Sequence, residues 1–193
     1  MTALIPWSPD RYIAAYRVAA EAHRGQTVPG TDGLPYVMHI SLVTMEVMTA
    51  LWVDRVADPD LAVQCALLHD TIEDTSVTYR DLADRFGRAV ADGVQALSKD
   101  PKVPRDRRMR DSLQRIRQQP AEVWMVKLAD RITNLQPPPA RWSRVKRLRY
   151  RDEAGDIAAA LGSASAHLAA RIQAKIDAYR AHIPAVEPGW CGE

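Results

Sequence analysis

The stretch LAVQCALLHDTIEDT, residues 61–75, decides the fold and carries most of the chemistry. Its first half is almost wholly apolar, which is typical of a helix buried in a core. Its second half presents His69, Asp70, Glu73 and Asp74 within six residues. Side chains four residues apart share one helix face, so a continuous helix places His69 over Glu73 and Asp70 over Asp74. The stretch therefore predicts an imidazole and three carboxylates at one helix end.

This polar cluster predicts a metal site, because carboxylates so close together repel one another unless a cation lies among them. A mixture of imidazole and carboxylate ligands suits manganese, iron or zinc, whereas magnesium and calcium sites are built mostly from oxygen. The alternative is a helix C-terminus with ordinary solvated acids and one partly buried histidine. Further ligands elsewhere in the chain would favour the metal.

Two residues outside the stretch are candidate ligands. Asp130 lies in the apolar segment VWMVKLADRITNL, residues 123–135, where a buried carboxylate needs a partner. The alternative for Asp130 is an ion pair with Lys127 or Arg131. His39 opens a predicted helix after a loop rich in glycine and proline, and a single histidine there is equally well explained as a packed or capping group.

The remaining patterns predict an all-α protein, a single-domain helical bundle. Helix starts are marked by cap-and-proline signals at Ser8–Pro9 and Asp58–Pro59 and by a capping box at Thr78. The three prolines at 137–139 mark a helix end. No strand-length alternation of apolar and polar residues occurs. The predicted helices span residues 8–23, 39–53, 59–75, 78–87, 88–98, 120–135, 141–161 and 163–179.

Composition is that of a folded globular protein. Hydrophobic residues make up 47% of the 193 residues and charged residues 26%, while the net charge of +2 points to no polyanionic partner. Cys65 and Cys191 stand far apart, which favours a reducing, cytoplasmic setting. We expect no export and no membrane span. We expect one domain over residues 1–183 and a tail over residues 184–193, with disorder of the tail as an alternative.

Together these motifs resemble a known family. ALLHDTIEDT, residues 66–75, is similar to the core of HD-superfamily phosphohydrolases. HRGQ at 23–26, PYVMH at 35–39 and KLADRITNL at 127–135 resemble the small alarmone hydrolases, which are related to the hydrolase domains of RelA/SpoT proteins. An isolated His-Asp pair would carry little weight, but these motifs in this order are specific. The match covers about residues 12–135, and it implies an HD-type hydrolase domain.

The resemblance implies a metal-dependent enzyme that removes pyrophosphate from the 3′ position of a guanosine or adenosine 5′-di- or triphosphate. Glu73 and Asp74 match the family's catalytic acidic pair, and Asn134 matches a residue that lies along the substrate. We assign the two acids jointly, because interacting carboxylates titrate as a pair. The metal is usually manganese, with other divalent metals as alternatives. Its ligands correspond here to His39, His69, Asp70 and Asp130.

Substrate contacts are predicted from charge and from the resemblance. Arg24 and Lys99 could neutralise the substrate's two pyrophosphate arms, although a solvated surface charge explains each of them equally well. Tyr150 could stack on a base or ribose, or could pack between helices. The basic stretches 102–117 and 141–151 could also suggest nucleic acid, but no aromatic platform or reading motif accompanies them. We therefore expect a small nucleotide as partner, and no nucleic acid.

Two departures from the family pattern concern the base. The family carries an Arg-Lys pair after the glutamine of its HxxQ motif, whereas Gln26 is followed here by Thr27–Pro29 in a longer loop. Pro137–Pro139 replaces a more polar continuation. Losing a cation beside the base changes base choice more readily than cleavage. Guanosine and adenosine alarmones therefore both stay candidates.

Two other functions compete with alarmone hydrolysis. One is another HD-type nucleotidase or phosphohydrolase, and the other is a non-catalytic, nucleotide-sensing helical module. The acidic pair Glu73–Asp74 argues against both. We expect no synthetase domain, and the sequence makes no prediction of oligomeric state.

Overall fold

The computed structural model describes residues 7–185, and those residues form an all-helical structure without strands. The predicted fold class is confirmed. A single antiparallel bridge pairs Thr27 with Pro35 in a loop. The α-helices are α1 (Pro9–Ala22), α2 (Val37–Val53), α3 (Pro59–Leu68), α4 (Thr71–Asp74), α5 (Tyr79–Phe86), α6 (Arg88–Leu97), α7 (Arg108–Ile116), α8 (Ala121–Asn134), α9 (Arg144–Leu161) and α10 (Ala166–Tyr179).

Predicted caps start three of these helices. The Ser8 side chain accepts a hydrogen bond from the Arg11 amide, and the Asp58 side chain accepts one from the Leu61 amide. At Thr78 both halves of the capping box are present. Each cap satisfies an amide that has no partner within the helix, so the chain enters α1, α3 and α5 where the sequence predicts.

The core centres on α2, α3 and α8, which pack against one another. Every residue of α3 from Leu61 to Leu68 is buried, which explains why this helix is apolar on all sides except at Gln64. Helix α1 packs on α3, and α10 packs on α8 and α9. The polar residues that follow α3, and those on the inner side of α2 and α8, are therefore held by the most rigid part of the structure.

The prediction of a continuous helix through residues 59–75 is wrong. Helix α3 ends at Leu68, and α4 begins at Thr71. Side chains at the junction bond to the carbonyls of the preceding turn: His69 Nδ1 lies 2.8 Å from the Ala66 carbonyl, and Thr71 Oγ1 donates to the Leu68 carbonyl at 2.7 Å. These bonds end the helix. Asp70 and Asp74 still share one turn, because the Asp74 amide donates to the Asp70 carbonyl.

Helix α7 was not predicted, because charged residues dominate its sequence. Only Ser112 and Ile116 are buried on it. Its position depends on Arg115, whose guanidinium donates to the carbonyls of Gln95 and Ala96 at the end of α6. Such a bond between elements leaves no periodic trace in the sequence.

The last two helices start three residues later than predicted. Ser143 caps α9 by accepting from the Lys146 amide, and Ser165 caps α10 by accepting from the Leu168 amide. Of the two cysteines, Cys65 is free and buried, while Cys191 lies outside the described residues, as does the predicted tail beyond residue 185. No helix within residues 7–185 is long and apolar enough to cross a membrane.

The loop between α1 and α2 lies against the proline segment after α8. Gly30 in this loop has a φ of 84°, a conformation that favours glycine. A Cβ at Gly30 would lie 3.3 Å from Cγ of Pro139. The two segments that depart from the family pattern are thus neighbours in space.

Candidate active site

His69 presents one ring nitrogen to the site. Its Nδ1 donates to the Ala66 carbonyl, which leaves Nε2 facing the Asp70 carboxylate at 2.9 Å. Nε2 is buried and has no hydrogen-bond partner of good geometry within the described residues. Burial lowers the pKa of His69, but the Asp70 carboxylate more than offsets this and brings the pKa to about 9. The geometry therefore favours a positive charge, a proton or a metal ion, between Nε2 and Asp70.

The structure brings three of the four predicted ligands into one group, and Asp130 adjoins that group through His39. Atoms of His39, His69 and Asp70 that could bind a metal lie within 4.8 Å of one another. His39 Nε2 is 3.6 Å from Asp70 Oδ2 and 3.6 Å from Asp130 Oδ1. Two ligands that are each about 2.1 Å from one metal ion lie roughly 3 to 4 Å apart, so these separations fit a shared ion. The donor set of two imidazoles and two carboxylates fits a divalent transition metal.

Asp130 has further partners of its own. Its Oδ2 accepts from Lys127 Nζ at 3.0 Å, and its Oδ1 accepts from Asn134 Nδ2 at 2.5 Å. Burial alone would raise the pKa of Asp130, but the charge of Lys127 and a hydrogen bond from His39 hold that pKa well below its ordinary value. The ion pair with Lys127 that was considered as an alternative thus exists beside the contact with His39. The contacts with Lys127 and with His39 both favour the anionic form of Asp130.

Glu73 and Asp74 on α4 have different surroundings. Both carboxylate oxygens of Glu73 are hydrogen-bonded by Lys99, one by Nζ at 2.6 Å and the other by the backbone amide at 2.8 Å. The Asp74 carboxylate has no hydrogen bond or ion pair within residues 7–185. Partial burial, followed by the nearby charges of Asp70 and Glu73, raises the pKa of Asp74. The pair therefore offers one fixed carboxylate and one unpaired carboxylate.

A cavity of about 750 Å³, within the usual range for a small-molecule site, is lined by Glu73 but by neither Asp74 nor the four candidate metal ligands. Glu73, Lys99, Lys127 and Tyr150 all line it. Both basic stretches of the sequence converge there, so the cavity wall carries a strong positive charge. Its other cationic lining residues are Arg105, Arg108, Lys146 and Arg149.

Two aromatic rings form one side of this cavity. Trp142 and Tyr150 meet edge to face with ring centroids 5.1 Å apart. Lys146 Nζ lies 4.0 Å above the centre of the Trp142 ring, and the guanidinium of Arg131 lies 4.4 Å above that of Tyr150. Tyr150 thus packs between helices and also lines the cavity, so both roles considered for it are compatible.

Two predicted substrate residues do not line the cavity. Arg24 is exposed and pairs with Glu21 on the surface of α1. Asn134 lies beside Asp130 rather than along the cavity wall. Their contacts with substrate stay predictions.

Sequence reasoning missed Tyr36, which touches a candidate metal ligand. Its hydroxyl donates to Asp70 Oδ2 at 2.5 Å, across 34 positions in the chain. Burial, and then the Asp70 carboxylate, raises the pKa of Tyr36 far above its ordinary value, so the hydroxyl keeps its proton. Tyr36 belongs to the PYVMH motif, so the motif marked the residue, but it did not indicate that its hydroxyl bonds to Asp70.

The residues of this site lie within a region that matches a known protein family. The family model described as HD domain matches residues 15–171, well over half of the chain. This chain belongs to the HD domain family. The family resemblance predicted from the sequence motifs is thereby confirmed, and the helical core with its His-Asp junction at residues 69–70 is that of an HD domain protein.

Curated relatives of this HD domain chain carry related names. It is 31% identical over 159 residues to the guanosine-3′,5′-bis(diphosphate) 3′-pyrophosphohydrolase MESH1 of Danio rerio, covering 80% of this chain and 86% of that protein. It is 27% identical over 144 residues to MESH1 of Drosophila melanogaster, covering 72% and 78%. It is 34% identical over 128 residues to the bifunctional (p)ppGpp synthase/hydrolase SpoT of Escherichia coli strain K12, covering 63% of this chain but only 17% of SpoT.

A solved structure supports the fold of this HD domain chain. It belongs to a metazoan ortholog of SpoT, described as hydrolysing ppGpp and playing a role in starvation responses. The two structures agree with a TM-score of 0.78 at 23% sequence identity, covering 91% of this chain and 98% of the other. The helical architecture is therefore shared over almost the whole length of both.

Proposed function

We propose that this chain is a metal-dependent 3′-pyrophosphohydrolase of purine alarmones, and that residues 1–183 form its hydrolase domain. The observation that carries the proposal is a group of two histidines and Asp70, joined by Asp130 through His39, close to an acidic pair whose Glu73 lines a strongly basic cavity. The MESH1 relatives, named as hydrolases of this kind, support the same reaction. The substrates would be the guanosine alarmones (p)ppGpp, the adenosine alarmones (p)ppApp, or both.

Four residues would hold the metal, which we propose to be manganese: His39, His69, Asp70 and Asp130. The buried, unpaired Nε2 of His69 and the 3.6 Å separations around His39 support this assignment. When bound, a divalent cation supplies polarisation of a phosphoryl oxygen and lowers the pKa of water. Tyr36 and Asn134 would orient two of the ligands, since they donate to Asp70 and Asp130 respectively.

The acidic pair would manage the protons of the reaction. A water oxygen attacks the phosphorus attached to the 3′ oxygen, and the bond between that phosphorus and the 3′ oxygen breaks. Asp74 is free to accept the water's proton, because its carboxylate has no other partner within the described residues. Glu73, held as a carboxylate by Lys99, would help to position the water, and the proton taken up by Asp74 would pass to the leaving 3′ oxygen. The products are pyrophosphate and the 5′-di- or triphosphate nucleoside.

The cavity would bind the rest of the substrate. Lys99 and Lys127 lie beside the candidate catalytic residues and would neutralise the 3′ pyrophosphate. The remaining cavity cations would bind the 5′ phosphates, and Tyr150 would contact the base or ribose. In this assignment both basic stretches of the chain bind one small anion rather than nucleic acid.

The experiment is pyrophosphate release by purified, manganese-loaded protein given the guanosine and adenosine alarmones side by side. A Glu73→Gln/Asp74→Asn double variant is the control. Release from one or both alarmones by the unaltered chain, and from neither by the double variant, is expected. No release from either alarmone by the unaltered chain would refute the proposal.

A further inference from the structure

The segment that follows α1 is connected directly to the end of α4. Gln26 Nε2 donates to the backbone carbonyl of Asp74 at 2.8 Å, across 48 positions in the chain. Helix α4 has only four residues, and Thr75 after it is extended, so the Asp74 carbonyl has no partner within the helix. Gln26 supplies that partner from another element.

His23 fixes the orientation of the Gln26 amide. Because a carbonyl only accepts, the NH₂ group of Gln26 must face Asp74, and its Oε1 must face His23 Nδ1, which lies 2.7 Å away. His23 Nδ1 is therefore the donor. The His23 ring is 3% exposed and stacks on the Tyr36 ring with centroids 4.7 Å apart. The imidazole is thus held on one side by packing and on the other by Gln26.

The same connection reaches the metal ligand at the other end of α4. The Tyr36 amide donates to the Gln26 carbonyl at 3.0 Å, and the Tyr36 hydroxyl donates to Asp70. Asp70 and Asp74 therefore both depend on groups supplied by the segment from His23 to Tyr36. This segment therefore contacts both the candidate metal site and the backbone of Asp74.

We propose that Gln26, oriented by His23, is a positioning residue that fixes Asp74 relative to the metal ligands. Glu73 is held through its own side chain by Lys99, whereas the Asp74 side chain has no partner within the described residues and takes its position from its backbone. The backbone bond from Gln26 is what holds that position. The inference rests on the proposed function, because it assigns Asp74 a part in the reaction.

The test compares variants that remove or keep one hydrogen bond. Gln26→Met keeps the side-chain length without the amide, and His23→Phe keeps the stacking on Tyr36 without the donor. His23→Asn places an amide N–H near the position of Nδ1. Gln173→Met, which removes an exposed glutamine on α10, is the matched control. Each variant is assayed for kcat and KM of pyrophosphate release and for hydrogen–deuterium exchange of the Asp74 and Thr75 amides.

We expect Gln26→Met to lower kcat about 10- to 100-fold with KM changed less than about twofold, since small misplacements of a reacting group have effects of this size. His23→Phe should act in the same direction, His23→Asn should recover most of the loss, and Gln173→Met should change nothing. The His23→Phe/Gln26→Met double variant should lose no more than Gln26→Met alone, because both act through one contact.

Several results would overturn the proposal. An unchanged kcat in Gln26→Met would do so, as would a rise in KM alone, which would mean that Gln26 contacts substrate. Faster exchange throughout the helices would reduce Gln26 to a general structural role. If the unaltered chain releases no pyrophosphate, the proposed function fails separately. Exchange then decides this proposal: faster exchange confined to Asp74 and Thr75 in Gln26→Met supports it, and unchanged exchange refutes it.

Discussion

Glu73 and Asp74 are adjacent in sequence, yet the structure gives them different partners. Lys99 occupies both oxygens of Glu73 with bonds of 2.6 and 2.8 Å, and nothing within the described residues occupies those of Asp74. Burial and neighbouring carboxylates also raise the pKa of Asp74, which makes it a better proton acceptor near neutral pH. The sequence assigned Glu73 and Asp74 to catalysis jointly, whereas this difference lets us predict that Asp74 is the proton acceptor.

Asp74→Asn should lower kcat for pyrophosphate release by about 10²- to 10⁴-fold, because an amide does not accept the proton of water. Manganese binding, followed by calorimetry, should be unchanged, since the four candidate ligands are intact. Asp84→Asn is the control, because Asp84 is an exposed acid on α5 paired with Arg80. A loss smaller than about fivefold would assign the proton transfer to another group.

At the residue scale, the sequence predicts which residue types carry chemistry but not what holds them. His69, Asp70 and Asp130 could be selected because polar groups in or directly after an apolar helix need an explanation, whereas His39 joined the set through the family resemblance. The bond from Tyr36 to Asp70 joins positions 34 apart, so no local pattern predicts it. The pair between Arg24 and Glu21, by contrast, joins residues three apart, so its spacing could have predicted it.

At the scale of elements, α6 depends on a glycine in its middle. A Cβ at Gly93 would lie 2.8 Å from Sγ of Cys65 and 2.9 Å from a methyl group of Val123, both in the buried core. Gly93→Ala should therefore destabilise by about 1 to 3 kcal/mol through overpacking. The gain of about 1 kcal/mol in helix propensity offsets only part of this.

Gly155→Ala in α9 is the matched control, because no atom lies within 4 Å of its added Cβ. It should stabilise by roughly 0.5 to 1 kcal/mol through propensity alone. Denaturant unfolding of both variants measures the two free energies. Equal changes would show that the close contacts of α6 relax without cost.

Helices whose start is marked by a cap followed by proline, or by a capping box, began where predicted. The caps at Ser143 and Ser165 carry neither mark and were missed, and contacts between elements were not predictable. Ser8, Asp58 and Thr78 act within their own helices, so their sequence signals are sufficient. The end of α3 comes from His69 and Thr71 bonding to the previous turn while the apolar pattern continues. Helix α7 needs Arg115 bonded to the end of α6, and its many charges conceal its short buried face.

At the scale of the whole molecule, metal binding should be linked to stability. The cluster joins residues of α2 and α8 with the α3–α4 junction, so a metal bound there would bind the folded chain and not the unfolded one. Manganese at 100 times its dissociation constant adds about 2.7 kcal/mol. For a chain of this size that should raise the thermal midpoint by about 5 to 10 °C.

Thermal unfolding with manganese and with a chelator measures this shift. His39→Ala should abolish it, whereas His182→Ala, whose ring lies beside Tyr179 away from the cluster, should retain it. A shift that survives in His39→Ala would place the bound metal elsewhere on the protein.

The contact between Gly30 and Pro139 bears on how this enzyme could be re-engineered. A Cβ at Gly30 would approach Pro139 to 3.3 Å, so the shape of each loop limits what the other can be. If a relative's α1–α2 loop were grafted alone, its side chains would contact prolines 137–139, which that loop does not contact in its own protein. Loop residues 27–35 and the segment 136–140 should therefore be exchanged together. Chimaeras that transplant both halves together should fold and report base preference, whereas single-loop grafts would confound specificity with misfit.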